Sequence, residues 1–324
     1  MVTIAVMPVL TTPFKSFPVM TPRMLPTGDN IEFRESAFFS RHSALPSPAE
    51  VRALTAQAGG PYKRLTYGRR RNILMFLDTG LLVKWGTGVA KAEGQCLWAC
   101  QHSIPGVVPV PEIYGWRTDR DHEFEDTFLY MELVKGDTLE ARWPTLLSED
   151  KFAISMQLRD ILARMRRVQQ DPDDSFLGHV GRQPLLDYIF TQTALTGGPF
   201  QSTRELNDFL ARMCLMKRKG YDPEAPISHP EYRSQLPDDG PITFTHSDLH
   251  PSNIMVSGPD DGPPRILAII DWQQSGWYPS YWEWCKLAWC VPYEGEWYTE
   301  YLPQILTPED AYEPWCYFTL SLGF

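Results

Sequence analysis

The chain segment between residues 242 and 276 carries the side chains that are most informative about chemistry. An apolar run leads into His246 and Asp248, Asn253 follows five residues after Asp248, and a second apolar run ends at Asp271. The turn-forming residues GPDDGPP separate the two runs, which are therefore predicted to pair as antiparallel strands. Such a hairpin returns Asp271 to the side of Asn253 and brings both close to Asp248.

Two kinds of chemical work are open to these side chains. Asn253 and Asp271 offer neighbouring oxygen donors, which suit Mg²⁺, a cation that completes its octahedron with phosphate and water. Asp248 offers a further carboxylate, which can accept a proton from an attacking hydroxyl. A metal that holds the phosphates and a base that orients the nucleophile are what phosphoryl transfer requires. The segment therefore predicts a phosphoryl-transfer site.

The spacing of these residues resembles that of a known family. His246, Asp248 and Asn253 form an HxDxxxxN pattern followed by Asp271 in IDW, which resembles the catalytic loop and metal-binding aspartate of the protein-kinase-like fold. The form HSDLHPSN, with Asp-Trp in place of Asp-Phe-Gly, is similar to the aminoglycoside phosphotransferase family. The sequence GWYPSYWEWCK, residues 276–286, is similar to fungal members of that family.

The resemblance implies a fold class, cofactors and residue roles. It covers residues 65–297 and implies an α+β chain with a two-lobed protein-kinase-like fold, a smaller β-rich N-lobe and a larger, mainly helical C-lobe. ATP and Mg²⁺ are the implied cofactors, with Asp248 as the base and Asn253 and Asp271 as metal ligands. His246 joins Asp248 as a candidate catalytic residue, and we expect it to brace the loop rather than to act as a base.

The N-terminal half contains residues that match the family by position. Lys84 ends a predicted strand, where the family has the lysine that contacts the ATP phosphates. Glu93, in a predicted helix, matches the glutamate that holds this lysine. The sequence YMELVKGDTL resembles the hinge between the lobes, so the backbone of Glu132 and Leu133 would meet adenine.

The sequence departs from the family at the phosphate-binding loop. It has no GxGxxG motif before Lys84, and the nearest candidate is YGRRRN, which begins at Tyr67. Arg69, Arg70 and Arg71 could supply positive charge where glycine amides are missing, but such a run is more often a solvated basic turn. The departure leaves open a kinase-like protein that binds nucleotide or a small molecule with weak turnover or none.

Two hydrolase classes are less compatible with the sequence. His246, Asp248 and His250 alternate as ligands do in zinc hydrolases, but no third ligand motif is present and Pro251 ends any strand there. A serine hydrolase would need its nucleophile on an elbow such as GxSxG, which does not occur.

Hydrophobic patterning predicts the elements that carry these residues. Strands are predicted at residues 63–86 (three runs, with a turn at Thr79 and Gly80), 112–117 and 127–133, the last two joined by the charged loop TDRDHEFED. Helices are predicted to begin at Ser47 and to lie at residues 89–102, 150–169, 203–217, 281–291 and 298–306. The resulting division is a Pro-rich arm over residues 1–45, an N-lobe over 46–134 and a C-lobe over 135–324.

Composition limits the partners and the compartment. The 30 Lys and Arg against 40 Asp and Glu give a net charge of −10, which opposes binding to nucleic acid and to anionic membranes. No apolar stretch is long enough to span a membrane, and the N-terminus lacks the basic residue of a signal peptide. Six cysteines without a CxxC pair favour the cytoplasm. The absence of acidic residues before Asp29 leaves mitochondrial targeting as a weaker alternative.

The acceptor is predicted only as a class, a small molecule with a hydroxyl group. Six acidic residues near the catalytic segment would favour an amine-bearing compound if they lined a cleft, although such residues usually belong to a solvated face. They are Asp238, Asp239, Glu283, Glu294, Glu296 and Glu300.

Overall fold

A six-stranded antiparallel sheet forms the centre of the N-lobe. The computed structural model describes residues 17–57, 62–67, 70–121, 124–191, 196–216, 226–227 and 229–321. The strands are β1 (Asn30–Glu32), β2 (Tyr62–Tyr67), β3 (Arg71–Phe76), β4 (Leu81–Gly86), β5 (Ile113–Asp121) and β6 (Phe124–Glu132). They lie across the sheet in the order β1, β5, β6, β4, β3, β2. Alternate apolar side chains of these strands, such as Leu74 and Val83, are fully buried in one small core.

The hairpin predicted around Thr79 and Gly80 is confirmed. Strand β3 pairs with β4 so that Phe76 lies opposite Leu81, and Gly80 in the turn has a φ of 67°. Glycine adopts this conformation without the steric cost that a Cβ would bring. The hairpin places Lys84 in the interior of the sheet, between β3 and β6.

The charged loop predicted between β5 and β6 is wrong, because both strands continue through most of it. The ladder extends to the pair Asp121 and Phe124, and only residues 122–123 of this stretch lie outside the described residues. Arg52 contacts both Asp119 and Asp126, with N–O distances of 2.5 and 2.8 Å. This tertiary partner neutralises acidic residues on adjacent strands, which local sequence alone does not reveal.

Part of the predicted N-terminal arm belongs to the sheet. Strand β1 pairs with β5, and Met20 and Phe33 are buried. The indole Nε1 of Trp116 donates to the carbonyl of Gly28 at 2.8 Å. Residues 28–33 are therefore part of the N-lobe, whereas Pro18 and Met20 exchange backbone hydrogen bonds of 2.9 Å with Gln169 of the C-lobe. The lobe boundary at residues 134 and 135 stays a prediction. Residues 1–16 lie outside the described residues.

Two helices complete the described N-lobe. Helix α1 (Pro48–Ala56) begins as predicted: the Ser47 side chain accepts from the Glu50 N–H and the Glu50 side chain accepts from the Ser47 N–H. This reciprocal capping satisfies donors that the first helical turn leaves unpaired. Helix α2 (Lys91–His102) confirms the helix predicted at residues 89–102 and packs on β5 and β6.

The C-lobe is mainly helical. Its helices are α3 (Leu139–Arg142), α4 (Ser148–Met165), α5 (Tyr188–Thr191), α6 (Thr203–Met216), α7 (Pro230–Arg233), α8 (Trp282–Trp289), α9 (Leu302–Ile305) and α10 (Tyr312–Leu320). Those predicted near residues 150, 203 and 281 are confirmed, and the ends of the helices lie within four residues of the predicted ones. The one predicted at 298–306 is a π-helical turn, Trp297–Tyr301, followed by α9. No helix among the described residues is long and apolar enough to cross a membrane.

Short strands hold the catalytic segment. They are β7 (Asp137–Thr138), β8 (Ile242–Thr245), β9 (Ile254–Val256), β10 (Ile266–Ile269) and β11 (Gly276–Pro279). The predicted antiparallel hairpin is confirmed as β9 and β10, with β7 at its other edge, and β8 pairs with β11. The aromatic series between residues 277 and 284 is buried, so it forms core rather than surface.

Candidate active site

The β9–β10 hairpin brings two of the predicted site residues together. Ile254 lies opposite Ile269, and the next residue, Ile270, donates its N–H to the carbonyl of Asn253 at 2.9 Å. Asp271 therefore follows directly on a residue that is hydrogen-bonded to Asn253. Asp271 has a φ of 62°, in the left-handed region. A non-glycine residue there is uncommon and turns the carboxylate out of the strand direction.

His246 holds the loop that precedes this hairpin. Its Nε2 donates to the carbonyl of Ile270 at 3.0 Å, and its Nδ1 accepts from the Asp248 N–H at 3.2 Å. Burial lowers the pKa of His246 to about 4, so the ring is neutral at physiological pH. With both ring nitrogens engaged, the geometry fits the bracing role expected for His246.

Asp248 lies beside Asn253. The amide Nδ2 of Asn253 donates to the backbone oxygen of Asp248 at 2.7 Å and to its Oδ2 at 3.2 Å. Burial raises the pKa of Asp248, against the opposing effect of the positive charge on Lys286. A carboxylate whose pKa is raised is a stronger base than an ordinary aspartate. The position and environment of Asp248 suit proton transfer.

Glu283, in α8, is hydrogen-bonded to the backbone of the loop that contains His246 and Asp248. The sequence suggested that it belonged to a solvated face, and this is wrong, because Glu283 is only 3% exposed. Its carboxylate accepts from the N–H groups of His246 and Ser247, at 2.7 and 3.2 Å. Ser247 has a φ of 66°, so the carboxylate holds a strained turn of the chain. The signal available in the sequence was an acidic residue inside the apolar run WEWCKLAW, where it requires a buried partner.

A buried ion pair lies next to Glu283 and also escaped the sequence analysis. Lys286 donates to Asp187 Oδ1 at 2.9 Å, and the Ser247 hydroxyl donates to Asp187 Oδ2 at 2.5 Å. Lys286 also donates to Gln274 Oε1 at 3.2 Å, and both Lys286 and Gln274 act to lower the pKa of Asp248. This network connects α8 to the carboxylate of the candidate base. Asp187 lies 60 residues from Ser247, so no local pattern indicates the contact.

Lys84 occupies the opposite side of the site. Its Nζ donates to Glu93 at 2.8 and 2.7 Å and to Asp271 Oδ1 at 2.6 Å. Burial opposes the charge on Lys84, but Asp271 and Glu93 outweigh it and raise the pKa of the amine. Burial likewise opposes ionisation of Asp271, yet Lys84 and Arg71 lower the pKa of that carboxyl to about 2. Both groups are therefore charged at neutral pH.

Arg71, from the basic run, reaches this site. Its Nη1 lies 3.3 Å from Asp271 Oδ2, and its Nη2 donates to Gln273 Oε1 at 2.7 Å. The expectation of a solvated basic turn is therefore wrong for Arg71. Arg70 is exposed, and Arg69 lies outside the described residues.

The hinge residues have their N–H groups engaged within the sheet. Glu132 donates to the carbonyl of Glu112 and Leu133 to the carbonyl of Gly80, both at 2.8 Å. A base bound here would meet the carbonyl groups of Glu132 and Leu133, or the N–H of Val134, which has no hydrogen-bond partner among the described residues. The contact of adenine with Glu132 and Leu133 stays a prediction, directed now at their carbonyl groups.

The donor set fits a magnesium ion. Because Asn253 Nδ2 is bonded to Asp248, the amide oxygen Oδ1 is left as the atom that can coordinate a metal. Asp271 adds a carboxylate that Lys84 and Arg71 keep ionised. Amide and carboxylate oxygens are the hard ligands that Mg²⁺ takes. The residues would hold the ion, with one oxygen-bearing side chain from each strand end.

The site does not fit zinc hydrolysis. His246 has both ring nitrogens hydrogen-bonded, and the Nδ1 of His250 accepts from the Ser252 N–H at 3.2 Å. Within the described ranges, no group of three or more His, Cys, Asp or Glu side chains could hold a metal ion. The β9–β10 hairpin instead provides an amide oxygen and a carboxylate, which are ligands for a hard cation such as Mg²⁺.

Comparison with known protein families identifies one that covers most of the chain. A family model described as the phosphotransferase enzyme family matches residues 50–315. The chain belongs to this family. The predicted resemblance to the aminoglycoside phosphotransferase family is thereby confirmed, and similar solved structures confirm the kinase-like α+β fold. No curated protein sequence matches it significantly.

Solved structures share the fold of this phosphotransferase. A thermostable mutant of aminoglycoside phosphotransferase APH(4)-Ia, in its apo form, has a TM-score of 0.52 and 15% identity over 82% of this chain and 85% of that one. A variant of it in ternary complex with ADP and hygromycin B has a TM-score of 0.51 and 16% identity over 81% and 83%. Another, with AMP-PNP and hygromycin B, has a TM-score of 0.52 and 15% identity over 80% and 83%.

Proposed function

We propose that this protein is an ATP-dependent phosphotransferase that moves the γ-phosphate of ATP to a hydroxyl group of a small molecule. The observation that supports this most strongly is the convergence of Asp248, Asn253 and Asp271 beside the Lys84–Glu93 ion pair. Family membership supports phosphoryl transfer, and the ADP and AMP-PNP bound by similar structures support the nucleotide.

Each side chain has a distinct part in the proposed reaction. Lys84, held in place by Glu93, binds the phosphates, while Asn253 and Asp271 hold Mg²⁺, which when bound neutralises charge on the transferring group. Asp248 accepts the proton of the acceptor hydroxyl as its oxygen forms the new bond to phosphorus and ADP leaves. Neutral His246 keeps the loop of Asp248 in place.

The acceptor is proposed as a small-molecule alcohol without a required charge. The argument for an amine-bearing acceptor depended on six carboxylates, and three of them are engaged within the protein. Glu283 lies under the catalytic loop, Asp238 pairs with Arg233, and Glu296 pairs with Lys151, the last two at 2.7 Å. These carboxylates are not available to attract a cationic substrate.

Two substitutions separate the base from the metal ligand. Asp271→Asn keeps a residue type that tolerates the left-handed conformation but removes the charge, so we expect Mg²⁺-dependent ATP binding to weaken sharply. Asp248→Asn should leave ATP affinity nearly unchanged and abolish transfer, because the base contacts the acceptor hydroxyl. Calorimetry with Mg·ATP measures the first effect, and ADP release with a panel of alcohols measures the second.

The exposed Asp260→Asn variant serves as the matched control, because it makes the same chemical change on a surface turn. Equal loss of ATP affinity in the Asp271→Asn and Asp248→Asn variants would show that the roles are wrongly assigned. If no nucleoside triphosphate bound at millimolar concentration, the proposed phosphotransferase activity would be excluded.

A kinase-like binding protein without turnover is the second candidate. It is favoured by the missing glycine-rich loop and by the two cations that already hold both oxygens of Asp271. Such a protein would bind Mg·ATP, yet ADP release would stay at background with every acceptor offered.

A further inference from the structure

Arg71 lies beside Asp271, next to the residues that we propose to bind the phosphates and the metal. It is the first residue of β3, next to the turn of the β2–β3 hairpin, and pairs in register with Tyr67. Its side chain extends from the N-lobe to Asp271 in the C-lobe, 200 residues away in sequence. The side chain is 33% exposed, against 5% for Lys84, so solvent and ligands can reach the guanidinium.

A ring of polar contacts aims this side chain. Arg71 donates to Gln273 Oε1 at 2.7 Å, and Gln273 Nε2 donates to the carbonyl of Gly88 at 3.0 Å. The Gly88 N–H in turn donates to the carbonyl of Arg70 at 2.7 Å. The ring connects the start of β3 to the segment after Asp271 through backbone and side chain. The guanidinium is therefore held at the site even if its contact with Asp271 breaks.

The contact with Asp271 is the weaker of the two that this carboxylate makes. Lys84 lies 2.6 Å from Oδ1, whereas Arg71 lies 3.3 Å from Oδ2 through a single nitrogen. Single, part-exposed ion pairs of this kind contribute little free energy. The two positive charges of Lys84 and Arg71 balance the two negative charges of Glu93 and Asp271. A bound triphosphate would add further negative charge to the site. Arg71 is the more weakly held of the two cations, so it is the one that can turn to the phosphates.

We propose that Arg71 is a phosphate-binding residue, which exchanges Asp271 for the phosphates of ATP when the nucleotide binds. The planar guanidinium presents paired donors that match phosphate oxygens. It thereby supplies phosphate donors in a chain that has no GxGxxG motif before Lys84. Its departure also frees Asp271 Oδ2 for the metal. The inference rests on the proposed function and names a residue for its nucleotide site.

The test measures Mg·ATP affinity by calorimetry over a series of KCl concentrations, for wild type, Arg71→Ala and Arg71→Lys. Arg70→Ala is the matched control, because it removes an exposed arginine from the same turn. We expect Arg71→Ala to weaken binding by about 10- to 100-fold and to reduce its salt dependence, since one charged contact is lost. Arg71→Lys should keep the salt dependence and lose less affinity for Mg·ATP than Arg71→Ala does. Arg70→Ala should match the wild type in both affinity and salt dependence.

Three results would overturn the inference. Arg71→Ala could bind Mg·ATP as tightly as wild type, it could bind more tightly, or it could bind more weakly with unchanged salt dependence. The second would mean that Arg71 only competes for Asp271, and the third that it only ties the lobes together. Failure of wild type itself to bind Mg·ATP would instead refute the proposed function, and this inference with it. Melting temperatures without nucleotide establish that each variant is folded.

Discussion

Glu283 is a carboxylate whose protonation is set by its position beneath the catalytic loop. Burial raises the pKa of Glu283 to about 7, although the backbone N–H groups of His246 and Ser247, which donate to this carboxylate, oppose the shift. Between about pH 4.5 and 7 the folded chain holds a proton that the unfolded chain has lost. The contribution to stability is therefore full below pH 4.5 and is lost as the pH rises to 7, by on the order of 3 kcal/mol.

Glu283→Gln should remove this pH dependence. The neutral acid present at pH 5 keeps a hydroxyl oxygen that can accept the second backbone N–H, whereas the amide nitrogen of glutamine can only donate, so we expect a loss of about 1–3 kcal/mol at pH 5. The deficit should shrink or reverse by pH 8, because wild type alone weakens over that range. Urea denaturation at a series of pH values measures the difference between the two proteins. That difference cancels the opposing titration of His246, whose pKa burial lowers to about 4. A deficit that is constant with pH would show that Glu283 does not titrate in this window.

The residues that sequence analysis could place are those whose partners are local or follow from one hairpin. Asn253 and Asp271 lie at the two ends of β9 and β10, so a turn signal between two apolar runs was sufficient to bring them together. Glu283 and Arg71 could not be assigned in this way. Their surroundings depend on contacts across 37 and 200 residues, and burial is a property of the folded chain.

At the scale of elements, Gly94 sets how closely α2 approaches the sheet. A Cβ at this position would lie 2.8 Å from Cε3 of the fully buried Trp116 and 3.1 Å from Cδ2 of Leu129. Trp116 has little room to move, since its indole also donates to the Gly28 carbonyl. The neighbouring residue in the helix is Glu93, so the glycine lets α2 hold this carboxylate against Lys84.

Gly94→Ala should destabilise the protein although alanine is the better helix former. The gain in helix propensity is about 1 kcal/mol, whereas overpacking against a rigid core costs about 1–3 kcal/mol. We expect a lower melting temperature and weaker ATP affinity, because a displaced α2 withdraws Glu93 from Lys84. Adding Trp116→Phe, which removes the obstructing ring atoms, should recover part of the affinity. An increase in stability on Gly94→Ala alone would contradict the close approach.

Elements were predictable from sequence where their own pattern is regular. The capping pair at Ser47 and Glu50 and the hairpin at Gly80 are confirmed because both depend on neighbours in the chain. The continuation of β5 and β6 through TDRDHEFED was missed because Arg52, from α1, neutralises that stretch. Strand β1 was missed because prolines around it obscure a three-residue strand whose pairing comes from β5.

At the scale of the whole molecule, the candidate site is assembled from both lobes. Lys84 and Arg71 come from the N-lobe sheet, and Asp271 from the end of β10 holds both. Gln273 adds a hydrogen bond to Gly88 across the same boundary. These lobe-bridging contacts join charged or polar groups at the site itself. A ligand that satisfies the same groups should therefore stabilise the molecule as a unit.

Mg·ATP should raise the melting temperature of the wild-type protein by about 5 °C. A ligand at about 100 times its Kd stabilises the folded state by about 2.7 kcal/mol, and each kcal/mol corresponds to about 2 °C in a chain of this size. ATP with EDTA should give a smaller shift, because Asn253 and Asp271 contribute through the metal. Asp271→Asn should abolish the difference between the two conditions, whereas Asp260→Asn should preserve it. Equal melting-temperature shifts with and without Mg²⁺ in the wild-type protein would show that Asn253 and Asp271 are not metal ligands. The binding energy would then come from Lys84, Arg71 and the hinge alone.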